Sequence, residues 1–386
     1  MKTVMIVAGE SSGEFYGSLL AASLKGIWSD LRIIGIGGER MREAGVELLS
    51  GITSSFGLQE MLPSLMRILG TFRRAKRAMV EFCPSVVVLI DYPEFNLRLG
   101  RFAKRYGVKV CYFVSPQVWA WRKRRVRKMK EFVERMAVIL PFEKDIYRKE
   151  EIPCEFVGHP VMEEIERVSN AGDIPIPFQG GVRRSLRIVQ GNPVLSLLPG
   201  SRPHELEYLL PIFVEFVRAF KSEYSDARFI LPLAPNIERK RFEVILGILS
   251  GEGVKVMEGE AIRALASSDA AVIASGTATL QAALLGIPMV IVYKLSPFTY
   301  FLGKALVKVK YISLVNILAG KEVVSELIQH RACTEGIIEE MRRILHDGEY
   351  RTRMLSAFEE IRKPFLGKRP SQRVAQMVGE IAEWKY

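Results

Sequence analysis

The sequence predicts an α/β protein made of two doubly wound domains, each a parallel β-sheet with helices on both faces. Three observations lead to this prediction. The chain has 386 residues, which is too long for one ordinary core. Short, continuously apolar runs alternate with helical patterns along most of the chain. The alternation breaks once, around residues 168–193, and then begins again.

The first series of elements fills the N-terminal part of the chain. Its strand candidates are residues 3–8, 31–36, 85–91, 109–114 and 136–140. Helical patterns lie between them, for example at residues 17–24 and 94–106. Because these runs are mostly continuous rather than alternating, they indicate strands that are buried on both faces. A βαβ succession of such strands predicts a parallel sheet.

A second series follows a segment that is rich in Pro, Gly and polar residues and has no helical period. Its strand candidates are residues 194–200, 227–234, 254–259, 270–275 and 287–294. After about Thr334 the pattern is entirely helical.

These boundaries predict an N-terminal domain of residues 1–168, a linker of residues 169–193, a C-terminal domain of residues 194–345 and closing helices in residues 346–386. Doubly wound domains bind ligands where loops leave the carboxyl ends of their strands. We therefore expect the functional site in a cleft between the two domains. One large sheet, the alternative architecture, would not need the linker.

Composition narrows the class of partner. The chain carries 55 Lys and Arg against 43 Asp and Glu, a net charge of +12, which favours phosphate groups, anionic lipid or nucleic acid without deciding between them. The four cysteines have no zinc-binding spacing, so we expect reduced, mostly buried thiols. The beginning of the chain does not read as a signal peptide, and no uncharged apolar run reaches about 18 residues, so we expect no membrane-spanning segment.

Two carboxylates follow strand candidates of the first domain. Glu10 lies in VAGESSGEFYG, where a strand passes into a small-residue turn and then a helix. The segment by itself favours a plain βα turn, and the charge of Glu10 suits a sugar hydroxyl or acid–base chemistry better than a phosphate. Asp91 lies in VVVLIDYPEFN, next to apolar side chains that can raise a carboxyl pKa. A general base and a helix N-cap are equally good interpretations of Asp91.

An aromatic and basic segment follows in the same domain. In YFVSPQVWAWRKRRVRKMK, two tryptophans precede a stretch from Arg122 to Lys130 in which seven of nine residues are basic. Single-stranded nucleic acid, a phosphorylated lipid or anionic membrane, and a solvated helix face all fit this pattern.

Two turns of the second domain can bind phosphate. LLPGSRPHELEYL ends a strand in Gly-Ser-Arg and begins a helix at Pro203, which makes Arg202 a candidate diphosphate clamp. ASGTATL follows the strand candidate at residues 270–275 and offers amides and hydroxyls near Ser275 and Thr277. ASGTATL is also explained by an ordinary βα turn, and it resembles neither a Walker loop nor GxGxxG. Together the two turns suggest one nucleotide diphosphate held by both.

Residues 60–77 form an apolar helical stripe with a basic flank. Met61, Leu65, Ile68 and Phe72 recur at helical spacing, and Leu62, Met66 and Leu69 widen the stripe. Periodicity alone favours a helix that faces a protein core. The wide stripe beside Arg67, Arg73, Arg74, Lys76 and Arg77 also fits a helix that lies in a membrane interface.

Taken together, these segments resemble the lipid-A-disaccharide synthase family. The matching motifs keep the family's order and cover most of the chain: AGESSGE, GIGGERM, LIDYPEFNL, YFVSPQVWAWRKRRVRK, LPFEKDIY, FVGHPV, LLPGSR, ASSDAAVIASGTATL, PMVIVY, SPFTYFLGKALVK and YISLVNILAGKEVVSELIQ. VSPQVWAWR with its basic continuation and SLVNILAG are highly specific. ASGTATL is less so, because other glycosyltransferases of this shape carry similar turns.

The resemblance implies the GT-B fold, with two Rossmann-like domains and a cleft between them. It also implies transfer of 2,3-diacylglucosamine from its UDP derivative to the 6-hydroxyl of 2,3-diacylglucosamine 1-phosphate, with inversion. The products would be the β-1,6-linked disaccharide 1-phosphate and UDP. No metal and no other cofactor is implied, and the family acts as a peripheral protein on the cytoplasmic face of the inner membrane.

The resemblance also carries roles for individual residues. Glu10, Asp91, Arg202 and Asn316 match functional positions of the family. Gln281 stands where many members have a Glu that, in related folds, binds the ribose hydroxyls, and a Gln can still accept from one hydroxyl and donate to another.

We expect the second domain to hold UDP through Ser201, Arg202, Ser275, Gly276, Thr277 and Gln281. Asp91 is the expected base, with Glu10 as the second candidate. Asn316 would orient a sugar or phosphate, and Arg122 and Arg125 would meet the acceptor phosphate or anionic lipid. Membrane contact is assigned to Met61, Leu62, Leu65, Ile68 and Leu69.

Two other functions remain open at this stage. A peptidoglycan-type transferase or a nucleotide-sugar epimerase of the same fold would turn over a water-soluble UDP-sugar without lipid. A nucleic-acid-binding protein, suggested by the charge alone, would bind oligonucleotides with a steep salt dependence and would not bind UDP. We expect no nucleic-acid partner. The sequence leaves both a monomer and a homodimer open.

Overall fold

The computed structural model describes residues 2–51, 61–116, 124–170, 192–296, 300 and 310–385. For Ser11, residues 61–65, Arg124 and Arg125 it describes the backbone alone. The chain divides into two units, one made of Met1–Pro160 with Gly367–Tyr386 and the other of Val161–Leu366.

Unit 1 is a seven-stranded parallel sheet with flanking helices. The strands are β1 Thr3–Ala8, β2 Arg32–Ile36, β3 Glu47–Ser50, β4 Val86–Ile90, β5 Lys109–Phe113, β6 Arg135–Val138 and β7 Cys154–Phe156. The helices before the second unit are α1 Ser11–Ile27, α2 Glu39–Glu43, α3 Met61–Phe82, α4 Pro93–Arg105, α5 Arg124–Lys130 and α6 Glu143–Arg148. The sheet order is β3-β2-β1-β4-β5-β6-β7. β4 is wholly apolar and β1 is apolar after Thr3, and both strands are buried because helices cover both faces of the sheet centre.

Unit 2 repeats this architecture with six strands. They are β8 Val194–Leu198, β9 Arg228–Leu233, β10 Val254–Glu258, β11 Ala270–Ala274, β12 Met289–Tyr293 and β13 Glu326–Ile328, in the parallel order β10-β9-β8-β11-β12-β13. The helices are α7 Val161–Asn170, α8 Pro203–Glu223, α9 Glu243–Gly251, α10 Ala261–Ala266, α11 Thr277–Leu285, α12 Leu314–Ala319, α13 Thr334–His346 and α14 Gly348–Arg362. Both units therefore have the doubly wound fold that the apolar runs predict.

The division of the chain differs from the predicted domain boundaries at two places. Helix α7 belongs to unit 2, although the prediction placed most of it in the N-terminal domain. The predicted closing segment, residues 346–386, is divided: α14 belongs to unit 2, whereas the last helix, α15 Pro370–Ala382, belongs to unit 1. Arg373 of α15 donates to both carboxylate oxygens of Glu155 at 2.7 and 2.8 Å, and Lys109 donates to the carbonyl of Ile381 at 2.8 Å.

Other differences concern the edges of the sheets. Strands β3, β7 and β13 are absent from the predicted set because they are short edge strands with little apolar periodicity. Of the four free cysteines, Cys111 is buried and Cys83 is exposed, so the expectation of mostly buried thiols is not met. No helix in the described residues is both long and apolar enough to cross a membrane.

Candidate active site

Each sheet has one place where the strand order reverses direction, and the candidate residues lie there. In unit 1 the reversal falls between β1 and β4, whose last residues Ala8 and Ile90 are aligned. In unit 2 it falls between β8 and β11, with Leu198 aligned to Ile273. Ligands of open α/β sheets bind beside such a reversal, because the loops on its two sides leave the sheet in opposite directions.

Glu10 and Asp91 are the first charged residues after the two central strands of unit 1. Glu10 is exposed and takes the N-cap position of α1, where its side chain makes no capping hydrogen bond. The ring of Tyr92 packs on the backbone of Gly9, since a Cβ built on Gly9 would lie 2.2 Å from the nearest ring atom. The turn after β1 and the turn after β4 are therefore in direct contact.

The turn after β4 has an unusual backbone. Asp91 and Tyr92 have φ angles of 45° and 47°, in the left-handed region that non-glycine residues rarely occupy. Each such residue costs roughly 1–2 kcal/mol, so neighbouring interactions must hold the turn. Tyr92 is the N-cap residue of α4, so Asp91 itself is not in the cap position that its sequence also suggested.

Two buried side chains bind the main chain of this turn. The phenol of Tyr112 donates to the carbonyl of Asp91 at 2.7 Å, and Asn96 Nδ2 donates to the same carbonyl at 2.8 Å. Asn96 Nδ2 also lies 3.2 Å from the carbonyl of Ile90. Burial raises the pKa of Tyr112 far above its ordinary value, and the nearby negative charge of Asp91 adds to this rise. Tyr112 is therefore a neutral donor at every physiological pH.

A second buried polar group lies beyond strand β5. Ser115 donates to Oε1 of Glu143 at 2.7 Å, and the amide of Leu140 donates to Oε2 at 3.1 Å. Glu143 is buried, so these bonds compensate for part of its lost hydration. They join the segment VSPQ to the segment LPFEKDIY, two of the motifs on which the family resemblance depends.

The turn after strand β8 of unit 2 carries Ser201 and Arg202. Ser201 and Arg202 were expected to bind UDP, but the backbone amides of both donate to Oε2 of Glu205 at 3.0 and 3.1 Å. The buried Glu205 carboxylate thus takes the place of an anion at the start of α8. The Arg202 guanidinium lies 3.5 Å from Glu205 and is 56% exposed, so it can still reach a ligand.

The second turn of unit 2 leaves its backbone accessible. Gly276 is the exposed N-cap of α11, and a Cβ built there would meet nothing within 4 Å. Ser275 donates through its hydroxyl to the carbonyl of Ile312 at 2.9 Å, which anchors the turn. Gln281 donates to Oε2 of Glu164 on α7 at 2.9 Å, so a carboxylate lies beside the position where the sequence has an amide.

The side chain of Asn316, which was expected to orient a sugar or phosphate, makes its hydrogen bonds within the protein. Its Oδ1 accepts from the amides of Val323 and Val324 at 2.7 and 3.0 Å, and its Nδ2 donates to the carbonyl of Val324 and to Glu326, both at 2.9 Å. The residue is fully buried, and these bonds use its whole hydrogen-bonding capacity. Asn316 therefore holds the loop after α12 and has no group left for a sugar or phosphate in this conformation.

The chain is similar along nearly its whole length to proteins of one known family. A family model described as lipid-A-disaccharide synthetase matches residues 4–376. Lipid-A-disaccharide synthase of Myxococcus xanthus is 40% identical over 98% of this chain and 97% of its own length. The synthase of Trichlorobacter lovleyi is 41% identical over 99% and 98%. The chain belongs to the lipid-A-disaccharide synthetase family. It is therefore an enzyme, a glycosyltransferase.

Solved structures show the fold of this family member. The calicheamicin glycosyltransferase CalG4 aligns over 99% of this chain and 98% of its own with a TM-score of 0.62 and 15% identity. A putative UDP-N-acetylglucosamine 2-epimerase from Listeria monocytogenes aligns over 100% and 97% with a TM-score of 0.67 and 12% identity. At such identities the similarity concerns the fold alone, and that fold is GT-B.

The apolar helix of this synthetase-family chain has both buried and exposed apolar side chains. Thr71, Ala75, Ala78 and Met79 on α3 are buried, whereas Met66 and Leu69 are 76% and 44% exposed. Ile68 is partly buried against the core. Met61, Leu62 and Leu65 lie on the same helix, but their side chains are outside the described residues. The C-terminal half of the helix is therefore a core helix, and its described N-terminal part exposes apolar side chains.

The basic segment is only partly within the described residues. Arg122 lies outside them, and for Arg125 only the backbone in α5 is described. Arg127 pairs with Glu150 and Lys130 with Glu151, so two charges of the segment have partners on the same unit. Exposed pairs of this kind contribute little to stability. In the described residues, no group of three or more His, Cys, Asp or Glu side chains could hold a metal ion.

Sequence reasoning missed several residues that shape the site. Glu205 had a readable signal, because an acidic residue at the third helical position after a starting Pro indicates a capping box. Tyr112, Asn96 and Gly9 had none, since their contacts join separate elements. Glu326, which accepts from Ser313 and Asn316, likewise acts across a loop whose path no local pattern predicts.

Proposed function

We propose that this enzyme transfers 2,3-diacylglucosamine from its UDP derivative to the 6-hydroxyl of 2,3-diacylglucosamine 1-phosphate. The products are the β-1,6-linked disaccharide 1-phosphate and UDP. Relatives at 38–41% identity over nearly the whole chain carry the name of this synthase. Within this chain, one observation supports the proposal most: the turns that carry Glu10 and Asp91 pack together at the strand reversal of unit 1.

Unit 1 supplies the base in this proposal. Asp91 takes the proton from the acceptor hydroxyl as that hydroxyl attacks the anomeric carbon, and Glu10 is the second candidate for the same role. A single attack from the face opposite UDP inverts the anomeric centre and needs no enzyme-bound sugar. Arg122 and Arg125 are assigned to the acceptor phosphate or to anionic lipid. The positive net charge of the chain supports a negatively charged partner of this kind.

Unit 2 binds the UDP part of the donor in this proposal. Because Glu205 already occupies the amides of Ser201 and Arg202, the charge that meets the diphosphate comes from the Arg202 side chain. The accessible turn of Ser275, Gly276 and Thr277 supplies further donors at the start of α11. Fixed donors of this kind stabilise the charge that develops on a leaving diphosphate, so no metal ion is required.

The ribose of UDP is assigned to the pair of Gln281 and Glu164. Gln281 uses its Nε2 on Glu164, so its carbonyl oxygen can accept from one ribose hydroxyl. The Glu164 carboxylate lies at hydrogen-bonding distance from Gln281 and can accept from the other. In this way a carboxylate on α7 takes over the role of the Glu that the family resemblance implies at position 281.

The lipid substrates imply contact with a membrane, which we assign to the start of α3. Met66 and Leu69 are exposed there, beside the exposed cations Arg67 and Arg73. Each basic residue near an anionic surface contributes roughly 1 kcal/mol, and apolar burial adds a term that salt does not screen. The proposed location is the cytoplasmic face of the inner membrane, with peripheral attachment.

The decisive experiment is incubation of the purified chain with UDP-diacylglucosamine and diacylglucosamine 1-phosphate in mixed micelles. We expect stoichiometric UDP and a tetraacyl disaccharide 1-phosphate, and no UDP release when the acceptor is omitted. Conversion of the UDP-sugar to an isomer without acceptor would identify an epimerase instead. Turnover of a water-soluble UDP-sugar with a soluble acceptor at a comparable rate would identify a transferase of another class.

A further inference from the structure

The Asp91 turn is held from two directions by hydrogen bonds to one atom. The carbonyl oxygen of Asp91 accepts from Tyr112, which follows on strand β5, and from Asn96, which lies in the first turns of helix α4. The amide of Asp91 donates to the carbonyl of Val114 at 3.1 Å. Both polar groups of the Asp91 peptide backbone are therefore fixed, and the orientation of its Cα–Cβ bond is fixed with them.

Both donors belong to side chains that are fully buried. Neither side chain can move to solvent, so the two donors form a rigid support under a turn that is itself in the left-handed region. Phe95 on α4 stacks on Tyr92 with ring centroids 5.0 Å apart, and this contact also restricts movement of the turn.

Only part of the Asn96 side chain is stabilised by hydrogen bonds. Its Oδ1 has no hydrogen-bond partner among the described residues, and a buried acceptor without a partner is destabilising. A smaller apolar residue would avoid that loss at the same place in α4. The feature that only an amide supplies here is the Nδ2 group, which binds the carbonyls of Ile90 and Asp91.

We infer that Tyr112 and Asn96 are positioning residues, which hold the Asp91 carboxylate in the orientation needed to take the acceptor proton. They act through the main chain of Asp91 and do not touch the substrate. This inference rests on the proposed role of Asp91 as the base. A carboxylate displaced by about an ångström loses much of its rate advantage, although binding of UDP in unit 2 is unaffected.

The test is a set of double-mutant cycles with the full-length enzyme in the two-substrate assay. Tyr112→Phe removes one donor and keeps the ring, and Asn96→Ala removes the other. We expect each to lower kcat about ten- to hundredfold, with KM for the UDP-sugar little changed. In an Asp91→Asn background, each should change the residual rate by less than about twofold, because the group that they position is no longer a base.

A matched control separates positioning from general packing. Tyr147→Phe removes another fully buried phenol from the same core, one that makes no hydrogen bond to the Asp91 turn. We expect normal kcat from this variant. The melting temperature of every variant is measured as well, and Tyr112→Phe carries the test if Asn96→Ala does not fold.

The outcomes are distinct. If Tyr112→Phe and Asn96→Ala lower the rate by the same factor in the Asp91→Asn background as in the wild-type enzyme, Tyr112 and Asn96 are structural and the inference is overturned. It is also overturned if Tyr112→Phe keeps normal kcat. If Asp91→Asn itself keeps near-normal turnover, the base assignment fails, whatever the other two variants do.

Discussion

The ring of Tyr92 lies directly on the backbone of Gly9, so the turns after the two central strands of unit 1 cannot move independently. One turn carries Glu10 and the other carries Asp91. A side chain at position 9 would overlap the ring, because three ring atoms lie within 2.5 Å of the Cβ position. The absence of a side chain at Gly9 therefore brings the two carboxylate-bearing turns together.

Gly9→Ala should lower turnover about tenfold or more, because the new methyl group displaces Tyr92 and with it the Asp91 turn. Overpacking of this kind also costs about 1–3 kcal/mol of stability. The measurement is kcat together with thermal unfolding. Gly26→Ala on α1 is the control, since its Cβ would meet nothing within 4 Å, and normal activity is expected from it. Normal activity of Gly9→Ala would show that the turns tolerate separation.

Asp91→Asn should keep the fold and UDP binding but lose about 10²- to 10⁴-fold in turnover, as expected when a general base is removed. Calorimetric titration with UDP and the two-substrate assay measure the two properties separately. Glu10→Gln is the parallel variant. If it loses more activity than Asp91→Asn, the base is Glu10.

Arg202→Ala should weaken UDP affinity by about ten- to hundredfold and also slow transfer, because a charge-assisted hydrogen bond contributes about 1.5–3 kcal/mol. Arg241→Ala is a matched control. Its guanidinium is 54% exposed, against 56% for Arg202, and it pairs with Glu207 on the same helix that begins after Arg202. Equal UDP affinity of the two variants would remove Arg202 from the diphosphate site.

Membrane attachment should depend on the start of α3. The pair Met66→Ser and Leu69→Ser is expected to reduce liposome binding and leave UDP binding intact, because both side chains are exposed and not part of the core. Adding Leu62→Ser and Leu65→Ser extends the change along the helix.

The control for this prediction lies in unit 2. Val244 and Ile248 on α9 are 81% and 42% exposed, close to the 76% and 44% of Met66 and Leu69. Their replacement by Ser removes similar apolar surface and should leave liposome binding unchanged. High salt should weaken attachment of the wild-type chain without abolishing it. Equal loss from both pairs would indicate nonspecific adsorption.

Stability in acid should depend on His159, which burial holds neutral. Burial lowers the pKa of His159 to about 3, whereas the unfolded chain titrates near pH 6.5. Between these values the unfolded state binds the extra proton, so stability falls with falling pH by about 1.4 kcal/mol per unit for this group. His159→Gln should remove this slope. Urea unfolding at pH 7 and pH 5 should show about 2 kcal/mol less acid destabilisation in the variant, and an equal loss in both proteins would contradict the prediction.

Local pattern was sufficient for the architecture and for placing the candidate site residues at the ends of strands. Continuous apolar runs predict central strands such as β1 and β11 nearly to the residue, because a strand that is buried on both faces needs apolar side chains at consecutive positions. The residues that follow those strands must then lie at the carboxyl edge of a sheet. Glu10, Asp91, Arg202 and Ser275 are all found there.

Tertiary structure decided what these residues contact. The Glu205 carboxylate accepts hydrogen bonds from the amides of Ser201 and Arg202, and the Asn316 side chain makes all its hydrogen bonds within the protein. Both segments were expected to bind ligand. Helix α15 returns across more than 200 residues to unit 1, where Arg373 binds Glu155. Periodicity reports which face of an element is buried, but hydrogen bonds between distant segments depend on how the elements pack. The sequence by itself therefore determined the family, the two sheets and the loops of the site, and only the folded chain determined which side chains in those loops remain available for chemistry.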